Sequence, residues 1–293
     1  MSSGSAFGKV IVLGEHAVVY GQPALASALA QGCTVTVTPG EGRMMIDTDV
    51  HAIDNADHAV CRAVKTTLDA AGLNERVDVR IHFDIPAGAG LGSSAALSVA
   101  LPRAVAAFTG KSVDVTTISN AIEKVFHGNP SGLDALLAET GAIGLFTRAG
   151  GLKPVVPSQP LRVVIADTGV PRSTQTQVSN VAERLKRLGS PIEKTIEVIG
   201  ELSRRGAEAV AAGNHQMLGE LMDVNQGLLS ALGVSSPEIE SLVGIARRAG
   251  AYGAKLTGAG GGGCIIAIGN EESVASALKP HAKSVLVSTL GST

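Results

Sequence analysis

The sequence predicts an α+β fold in two domains, and three features of the chain lead to this prediction. Strand and helix patterns are mixed without the regular alternation that is typical of a doubly wound parallel sheet. Hydrophobic residues make up 45% of the 293 residues, which is enough to bury a substantial core. The stretch 150–160 is rich in Gly and Pro and lacks periodicity. It therefore predicts a division into residues 1–155 and 156–293.

Hydrophobic periodicity places the elements of the first domain. Apolar runs and alternation predict strands over residues 6–13, 34–38, 77–85 and 142–146. Helical spacing predicts helices over residues 54–71, 94–108 and 114–126, and a further helix that begins at Leu133. Pro86 ends the third strand, and a glycine run follows it directly.

The second domain reads as one strand, a long helical region and three more strands. The strands are expected over residues 162–166, 251–256, 264–268 and 284–288. Residues 174–249 are mostly helical in pattern, with breaks at the turn-forming residues of 189–191, 213–214 and 235–237.

Composition excludes several classes of partner. The chain has no Trp, five Phe, two Tyr and a net charge of -2. Such a chain has few aromatic platforms for bases and no general basic field, so no nucleic-acid partner is expected. No membrane partner is expected either, because no apolar run reaches eighteen residues. Three cysteines without a CxxC pair favour reduced thiols and a cytoplasmic location.

The segment 86–96, PAGAGLGSSAA, has the form of a phosphate-binding turn. A strand leads into glycines, and the glycines open a helix whose N-terminal N–H groups favour an anion. Ser93 and Ser94 add hydroxyl groups. The segment is neither a Walker A loop nor a GxGxxG motif. The alternative is a tight strand-to-helix turn with a serine cap.

Two carboxylates flank a Gly-Asn-Pro-Ser-Gly turn in the segment 123–134, EKVFHGNPSGLD. Glu123 lies near the end of one predicted helix, and Asp134 lies at the start of the next. The pair could divide the work, with one carboxylate on Mg²⁺ and the other as a base. The alternative is a plain helix corner in which Asp134 only favours a helix N-terminus.

The segment 255–264, KLTGAGGGGC, is a glycine run interrupted only by Ala259. Apolar strands flank it, whereas a merely flexible loop would be expected to contain Ser or Asn. The pattern favours a loop that lines a ligand.

The segment 9–21, KVIVLGEHAVVYG, places Lys9 inside an apolar strand, where an ammonium group needs a partner. Glu15 and His16 follow a glycine turn that can direct side chains into a cleft. The alternative for His16 is a loop histidine with an ordinary hydrogen-bond partner.

These four segments, in this order, resemble the GHMP family of small-molecule kinases over essentially the whole chain. The resemblance is strongest to the branch whose members phosphorylate mevalonate, and residues 170–174, VPRST, add to it. It implies an N-terminal domain like ribosomal protein S5 domain 2 and a C-terminal GHMP α/β sandwich, with the active site in the cleft between them. It also implies ATP and mevalonate as substrates with Mg²⁺ as cofactor, and it leaves a homodimer open.

The resemblance implies a role for each matching residue. Asp134 matches the catalytic base and Lys9 the lysine beside it, while Ser94 and Glu123 match the Mg²⁺ ligands. Glu15, His16, Arg172 and Thr174 are expected on the substrate side. The nucleotide is expected to lie against two loops, whose residues are Gly88, Ala89, Gly90, Leu91, Gly92, Ser93 and Ser94 in the first and Gly258, Gly260 and Gly261 in the second.

Two other functions stay open at this point. The chain could be a GHMP kinase for phosphomevalonate or a sugar, although few extra basic residues lie near residues 15–20 to hold a phosphorylated substrate. It could also be a ligand-binding relative without activity. Such a relative would be expected to lose the lysine, the base or the metal ligands, and all of them are present here.

Overall fold

The computed structural model of the protein describes residues 2–47, 49–86, 88–127 and 132–291. Within these ranges the chain forms eleven strands and nine α-helices. They fall into two compact units that interleave along the chain. Unit 1 comprises Met1–Lys9, Gln31–Ile85 and Gly92–Gly141, and unit 2 comprises Val10–Ala30, Pro86–Leu91 and Ala142–Thr293.

The strands follow one another unevenly along the chain. They are β1 (Ser2–Leu13), β2 (Ala24–Pro39), β3 (Arg43–Ile46), β4 (Asp49–Ala52), β5 (Val77–Phe83), β6 (Ile143–Thr147), β7 (Gly151–Pro154), β8 (Leu161–Asp167), β9 (Ala251–Leu256), β10 (Cys264–Gly269) and β11 (Ser284–Leu290).

The helices occupy two blocks and one late position. They are α1 (Ala59–Ala70), α2 (Ser93–Thr109), α3 (Val115–His127), α4 (Leu133–Thr140), α5 (Thr174–Leu188), α6 (Ser190–Ala211), α7 (His215–Ala231), α8 (Pro237–Arg248) and α9 (Glu271–Leu278). A short 3-10 helix, Ala17–Tyr20, precedes β2.

Unit 1 is a sheet covered by helices. Its strands run in the order β4-β3-β5-β2, with β5 antiparallel to β2 and β3 parallel to β5. Period-two alternation turns one set of side chains inward, where they pack against α1–α4. The core members include Val35, Val37, Val79 and Ile81 from strands and Val64, Leu97 and Leu101 from helices.

Unit 2 is built on the antiparallel strand order β11-β8-β10-β9. The uninterrupted apolar run of β10 is buried throughout except at Gly269. Side-chain caps set the starts of four helices: Ser173, Asn214, Ser236 and Asn270 each accept a hydrogen bond from a backbone N–H of the first turn. The caps at Asn214 and Ser236 lie at two of the three predicted breaks of the helical region, and at the third break Gly189 precedes α6 without a side-chain cap.

The mixed strand and helix content confirms the predicted α+β fold. The predicted division between residues 155 and 156 stays a prediction. The helix predicted from residue 54 begins at Ala59 instead, because Asn55 organises a turn: its side chain accepts from Asp57 N and its carbonyl from His58 N. The short elements β3, β4, β7 and α9 had no counterpart in the sequence prediction. In the part of the chain that is described, no helix has the length and apolar character that a membrane crossing needs.

Candidate active site

Lys9 and Asp134 form an ion pair in unit 1. Strand β1 places Lys9 among apolar neighbours, and the first turn of α4 supplies Asp134. Lys9 Nζ lies 3.1 Å from Asp134 Oδ2, with the two side chains 9% and 37% exposed. The ion pair offsets the desolvation cost of placing the Lys9 ammonium group inside an apolar strand. It also leaves the carboxylate open to a ligand on its solvent side.

Glu123 of α3 is a second carboxylate in the same cluster and is only 3% exposed. Burial, reinforced by the charge of Asp134, raises its pKa from 4.5 to about 7, against the opposing effects of a hydrogen bond with Ser94 and the charge of Lys9. Its Oε1 atom has no hydrogen-bond partner among the described residues. A buried carboxylate oxygen without a partner is an expected place for a cation.

The N-terminus of α2 completes the unit 1 cluster. Gly92 is the N-cap residue with φ +78, and no side chain caps this helix. A Cβ at Gly92 would lie 2.7 Å from Lys9 Cγ, so only glycine lets the helix start against the lysine. The serine cap considered as an alternative is therefore not formed. An uncapped helix N-terminus beside a lysine suits an anion.

The donor set of this cluster fits Mg²⁺. Carboxylate and hydroxyl oxygens are the hard ligands that this ion takes, and it needs few of them from protein because phosphates and water supply the rest. Glu123 offers the unpartnered oxygen, and Ser94 is near enough to Glu123 to hydrogen-bond with it. These two residues would hold the ion.

In unit 2, the arginine Arg172 fills space that glycines leave open. Its guanidinium group occupies the place where a Cβ of Gly90 would lie, and it would also meet a Cβ at Gly258 or Gly263. Arg172 Nη1 donates to Thr257 O at 3.0 Å. Gly90, Gly258 and Gly263, which come from both loops, thus leave room for one cationic side chain.

Backbone contacts hold the glycine loop 257–263. Gly261 N donates to Val234 O at 2.8 Å, and Gly263 N donates to Val170 O at 3.0 Å. Gly258 and the glycines of 260–263 all have positive φ. Residues with a side chain rarely adopt positive φ. This conformation therefore explains the glycine run better than flexibility does.

Glu15 lies in the interior of unit 2, with no exposed side-chain surface. Its carboxylate is paired with Lys255 Nζ and accepts from Asn225 Nδ2 at 3.1 Å. His16 follows with φ +61, and its Nε2 lies 2.8 Å from Ala259 O. A carbonyl only accepts, so Nε2 must carry the proton. Burial lowers the pKa of His16, which favours the neutral ring.

The structure thus groups the predicted residues in two sets. Lys9, Ser94, Glu123 and Asp134 come together in unit 1. Unit 2 holds Arg172 beside Gly90 and Gly258, with Ala89 and Leu91 buried, Gly88 exposed, and Thr174 exposed at the first position of α5. Sequence reasoning missed Lys255, although the rule applied to Lys9, a lysine within an apolar strand, also describes it. The roles of all these residues stay predictions.

Two family models match the chain: the GHMP kinases N terminal domain over residues 58–142 and the GHMP kinases C terminal region over residues 207–285. Together they span more than half of its length, and the fold agrees with them. The chain belongs to the GHMP kinase family.

Proteins similar to this chain within the family include mevalonate kinases. The mevalonate kinase of Pyrococcus horikoshii is 36% identical, covering 94% of this chain and 91% of the relative, and that of Methanothermobacter thermautotrophicus is 34% identical, with 91% and 89% covered. Among solved structures, L. major mevalonate kinase in complex with R-mevalonate superposes with a TM-score of 0.88 at 28% identity, covering 100% of this chain and 97% of that chain.

Proposed function

We propose that this protein transfers the γ-phosphoryl group of ATP to the 5-hydroxyl of (R)-mevalonate, giving 5-phosphomevalonate and ADP. The observation that carries the proposal is the pair of Lys9 and Asp134, because it joins a buried cation to a carboxylate that a substrate hydroxyl can reach. The mevalonate kinases at 34–36% identity support the choice of substrate.

Each residue of the unit 1 cluster has a task in this reaction. The hydroxyl oxygen of mevalonate attacks the γ-phosphorus, the bond to the leaving oxygen of ADP breaks, and Asp134 accepts the hydroxyl proton. Lys9 pairs with the Asp134 carboxylate and offsets the negative charge that develops on the transferred group. Mg²⁺, held by Glu123 and Ser94, would neutralise phosphate charge.

The loops of unit 2 would bind and orient the substrates. Glycines with positive φ let the backbone approach a ligand closely, and Arg172 adds a planar cation beside Gly90 and Gly258. Positioning and neutralisation of charge are most of what phosphoryl transfer requires. The expected nucleotide residues of both loops fit this task through their backbone, since Ala89 and Leu91 turn their side chains into the interior.

A coupled assay of ADP release tests the proposal. Mevalonate, phosphomevalonate, homoserine and galactose are offered in parallel with Mg-ATP, and the phosphorylated product is identified by mass spectrometry. Turnover of mevalonate to a monophosphate is the expected result. Strong turnover of another acceptor with none on mevalonate would reject the substrate, and no turnover of any acceptor would favour a binding protein.

The assignment of the metal ligands has its own test. Ser94→Ala and Glu123→Gln are expected to raise the Mg²⁺ concentration needed for half-maximal rate without lowering the melting temperature much below that of the parent. A collapse of the melting temperature together with activity would instead assign these residues to the helix corner alone.

The location and the assembly state belong to the same proposal. Buried thiols at Cys33, Cys61 and Cys264, none in a disulfide, support a reducing cytoplasm. A homodimer is the assembly to test, and sedimentation equilibrium at several protein concentrations gives the answer.

A further inference from the structure

Two segments of unit 2 that are far apart in sequence are fastened together by side chains. Thr257 Oγ1 accepts from Ile11 N and donates to Ile11 O, both at 3.0 Å. Lys255 pairs with Glu15, and His16 Nε2 donates to Ala259 O at 2.8 Å. We call these contacts between residues 11–16 and 255–259 the clasp. It ties the Gly-Glu-His turn to the start of the glycine loop.

The ionic part of the clasp is sealed from solvent. Both side chains of the Lys255–Glu15 pair have no exposed surface, and Lys255 Nζ also donates to Leu256 O. Asn225 donates to the second carboxylate oxygen of Glu15. Both carboxylate oxygens of Glu15 are therefore bound by groups of its own unit. A ligand has no access to it in this arrangement.

Burial of two charges is a poor way to gain stability, because the desolvation cost offsets most of the attraction. In some proteins such a pair fixes one arrangement among several. Here the arrangement includes a conformation that needs support. His16 has φ +61 and ψ -44, a strained region for a non-glycine residue unless its surroundings hold it.

We propose that Glu15 and Lys255 are positioning residues that act through the clasp, fixing His16 and the glycine loop 257–263 in the geometry that binds substrate. Glu15 then differs from the role its motif implies, a side chain that approaches mevalonate itself. The kinetic part of this inference rests on the proposed function.

Four variants separate positioning from stability and from direct contact. Glu15→Gln and Lys255→Met each leave one buried charge without its partner. The double variant Glu15→Gln/Lys255→Met removes both charges and keeps similar side-chain volumes. The amide oxygen of the glutamine can still accept the hydrogen bond that Asn225 donates. The double variant is therefore expected to regain most of the lost melting temperature. Leu278→Ala, a cavity in the buried core at α9, is the control that loses stability outside the clasp.

The expected result is a split between stability and kinetics. The double variant melts near the parent protein but has a KM for mevalonate, ATP or both raised by about 10–10²-fold, the range for a small misplacement of binding groups. Leu278→Ala shows the opposite pattern, with a lower melting temperature and an unchanged KM. A double variant that regains parental KM along with stability overturns the proposal. A raised KM in Glu15→Gln with a parental KM in Lys255→Met overturns it as well, because direct contact of Glu15 with substrate gives that result.

Hydrogen exchange provides a readout without substrate. The amides of Gly261 and Gly263 are held by carbonyls of Val234 and Val170, and their exchange in the double variant is expected to rise relative to amides of β10. Leu278→Ala is not expected to change that ratio. An unchanged ratio in the double variant overturns the clasp. If the parent protein fails to turn over mevalonate, the proposed function falls while this measurement still decides the inference.

Discussion

Two lysine–carboxylate pairs in this protein have the same chemistry and opposite surroundings. Lys9 and Asp134 in unit 1 leave more than a third of the aspartate side chain exposed. Lys255 and Glu15 in unit 2 have no exposed side-chain surface at all. Both lysines lie in strands, and both carboxylates lie in segments that match family motifs.

The difference in solvent exposure distinguishes a carboxylate that can take part in catalysis from one that has a structural role. A carboxylate that water can reach can also meet a hydroxyl group and exchange a proton with it. A carboxylate sealed with its lysine can only hold its neighbours in place. An acidic residue in a family motif is therefore not by itself a ligand contact, and its solvent access decides between the two roles.

The largest effect is expected at the exposed pair. Asp134→Asn keeps the shape but removes the charge and the basicity, so kcat should fall by roughly 10²–10⁴-fold with substrate binding retained. Lys9→Met should also lower kcat. Because the two residues act as one unit, the double variant should be far less than multiplicatively worse than either single variant.

Steady-state kinetics and equilibrium binding of mevalonate and ATP to all three variants make the measurement. Near-normal kcat in Asp134→Asn would remove this residue from the chemical step. A loss confined to mevalonate binding would make it a positioning residue, and the contrast between the two pairs would disappear.

Changing the lysine of each pair to methionine compares the contributions of the two pairs to the free energy of unfolding. Lys255→Met leaves Glu15 buried without its cation, and loss of one partner of a buried pair costs about 3–5 kcal/mol. Lys9→Met leaves Asp134 in contact with water, so the cost should stay at about 0–1 kcal/mol. Urea unfolding curves of the two variants give the comparison. Equal losses would mean that exposure does not distinguish the pairs.

A matched pair of glycines extends the contrast to Arg172. Gly88 and Gly90 have similar positive φ, so alanine at either costs about 1–2 kcal/mol of backbone strain. A Cβ at Gly90 would also displace the guanidinium of Arg172, whereas at Gly88 it would meet no described atom within 4 Å. We expect KM to rise about tenfold more in Gly90→Ala than in Gly88→Ala, a difference of ~1.4 kcal/mol. Similar KM values would restrict the glycines to a backbone role.

The smallest effect concerns Glu123, a buried carboxylate of the unit 1 cluster that belongs to neither lysine–carboxylate pair. Its pKa is raised to about 7 by burial and by Asp134. Between pH 4.5 and 7 the folded protein therefore binds more protons at this group than the unfolded chain does, and its contribution to the free energy of unfolding falls as pH rises.

Thermal melting between about pH 5 and pH 8, without Mg²⁺, tests this sign. The difference in melting temperature between Glu123→Gln and the parent should grow in favour of the variant as pH increases. Glu183→Gln, at an exposed position of α5, controls for the loss of a charge. A difference that is constant with pH would contradict the raised pKa.

Local pattern was enough for the long elements, whereas the grouping of the unit 1 residues was implied by the resemblance to the family. The apolar runs of β8 and β10 and the helical spacing of α3 are properties of adjacent residues, so the sequence predicts them. Lys9 was recognised because a lysine within an apolar strand demands a partner, and Asp134 because it begins a helix after a glycine turn.

Long-range pairing could not be predicted in the same way. Glu15 and Lys255 are 240 positions apart, and no periodicity connects them. Strands β3 and β4 have four residues each and owe their conformation to pairing with neighbouring strands. Helix α9 has only eight residues, which is too short for helical spacing to stand out. In each case tertiary contact decides the structure.

The closure of β2 by β11 has a consequence during synthesis. Leu290 pairs with Leu29, and Gly291 N donates to Ser27 Oγ from 264 positions away. At translation rates of about 5–20 residues per second, the growing polypeptide waits ~10–50 s between emergence of the first partner and of the last. During that interval Leu29 and Ser27 of β2 lack these native partners, and unpaired strand residues are open to aggregation. Ribosome-bound chaperones are therefore expected to protect this part of the nascent polypeptide, and codon changes that slow elongation before β11 should lower the yield of active enzyme.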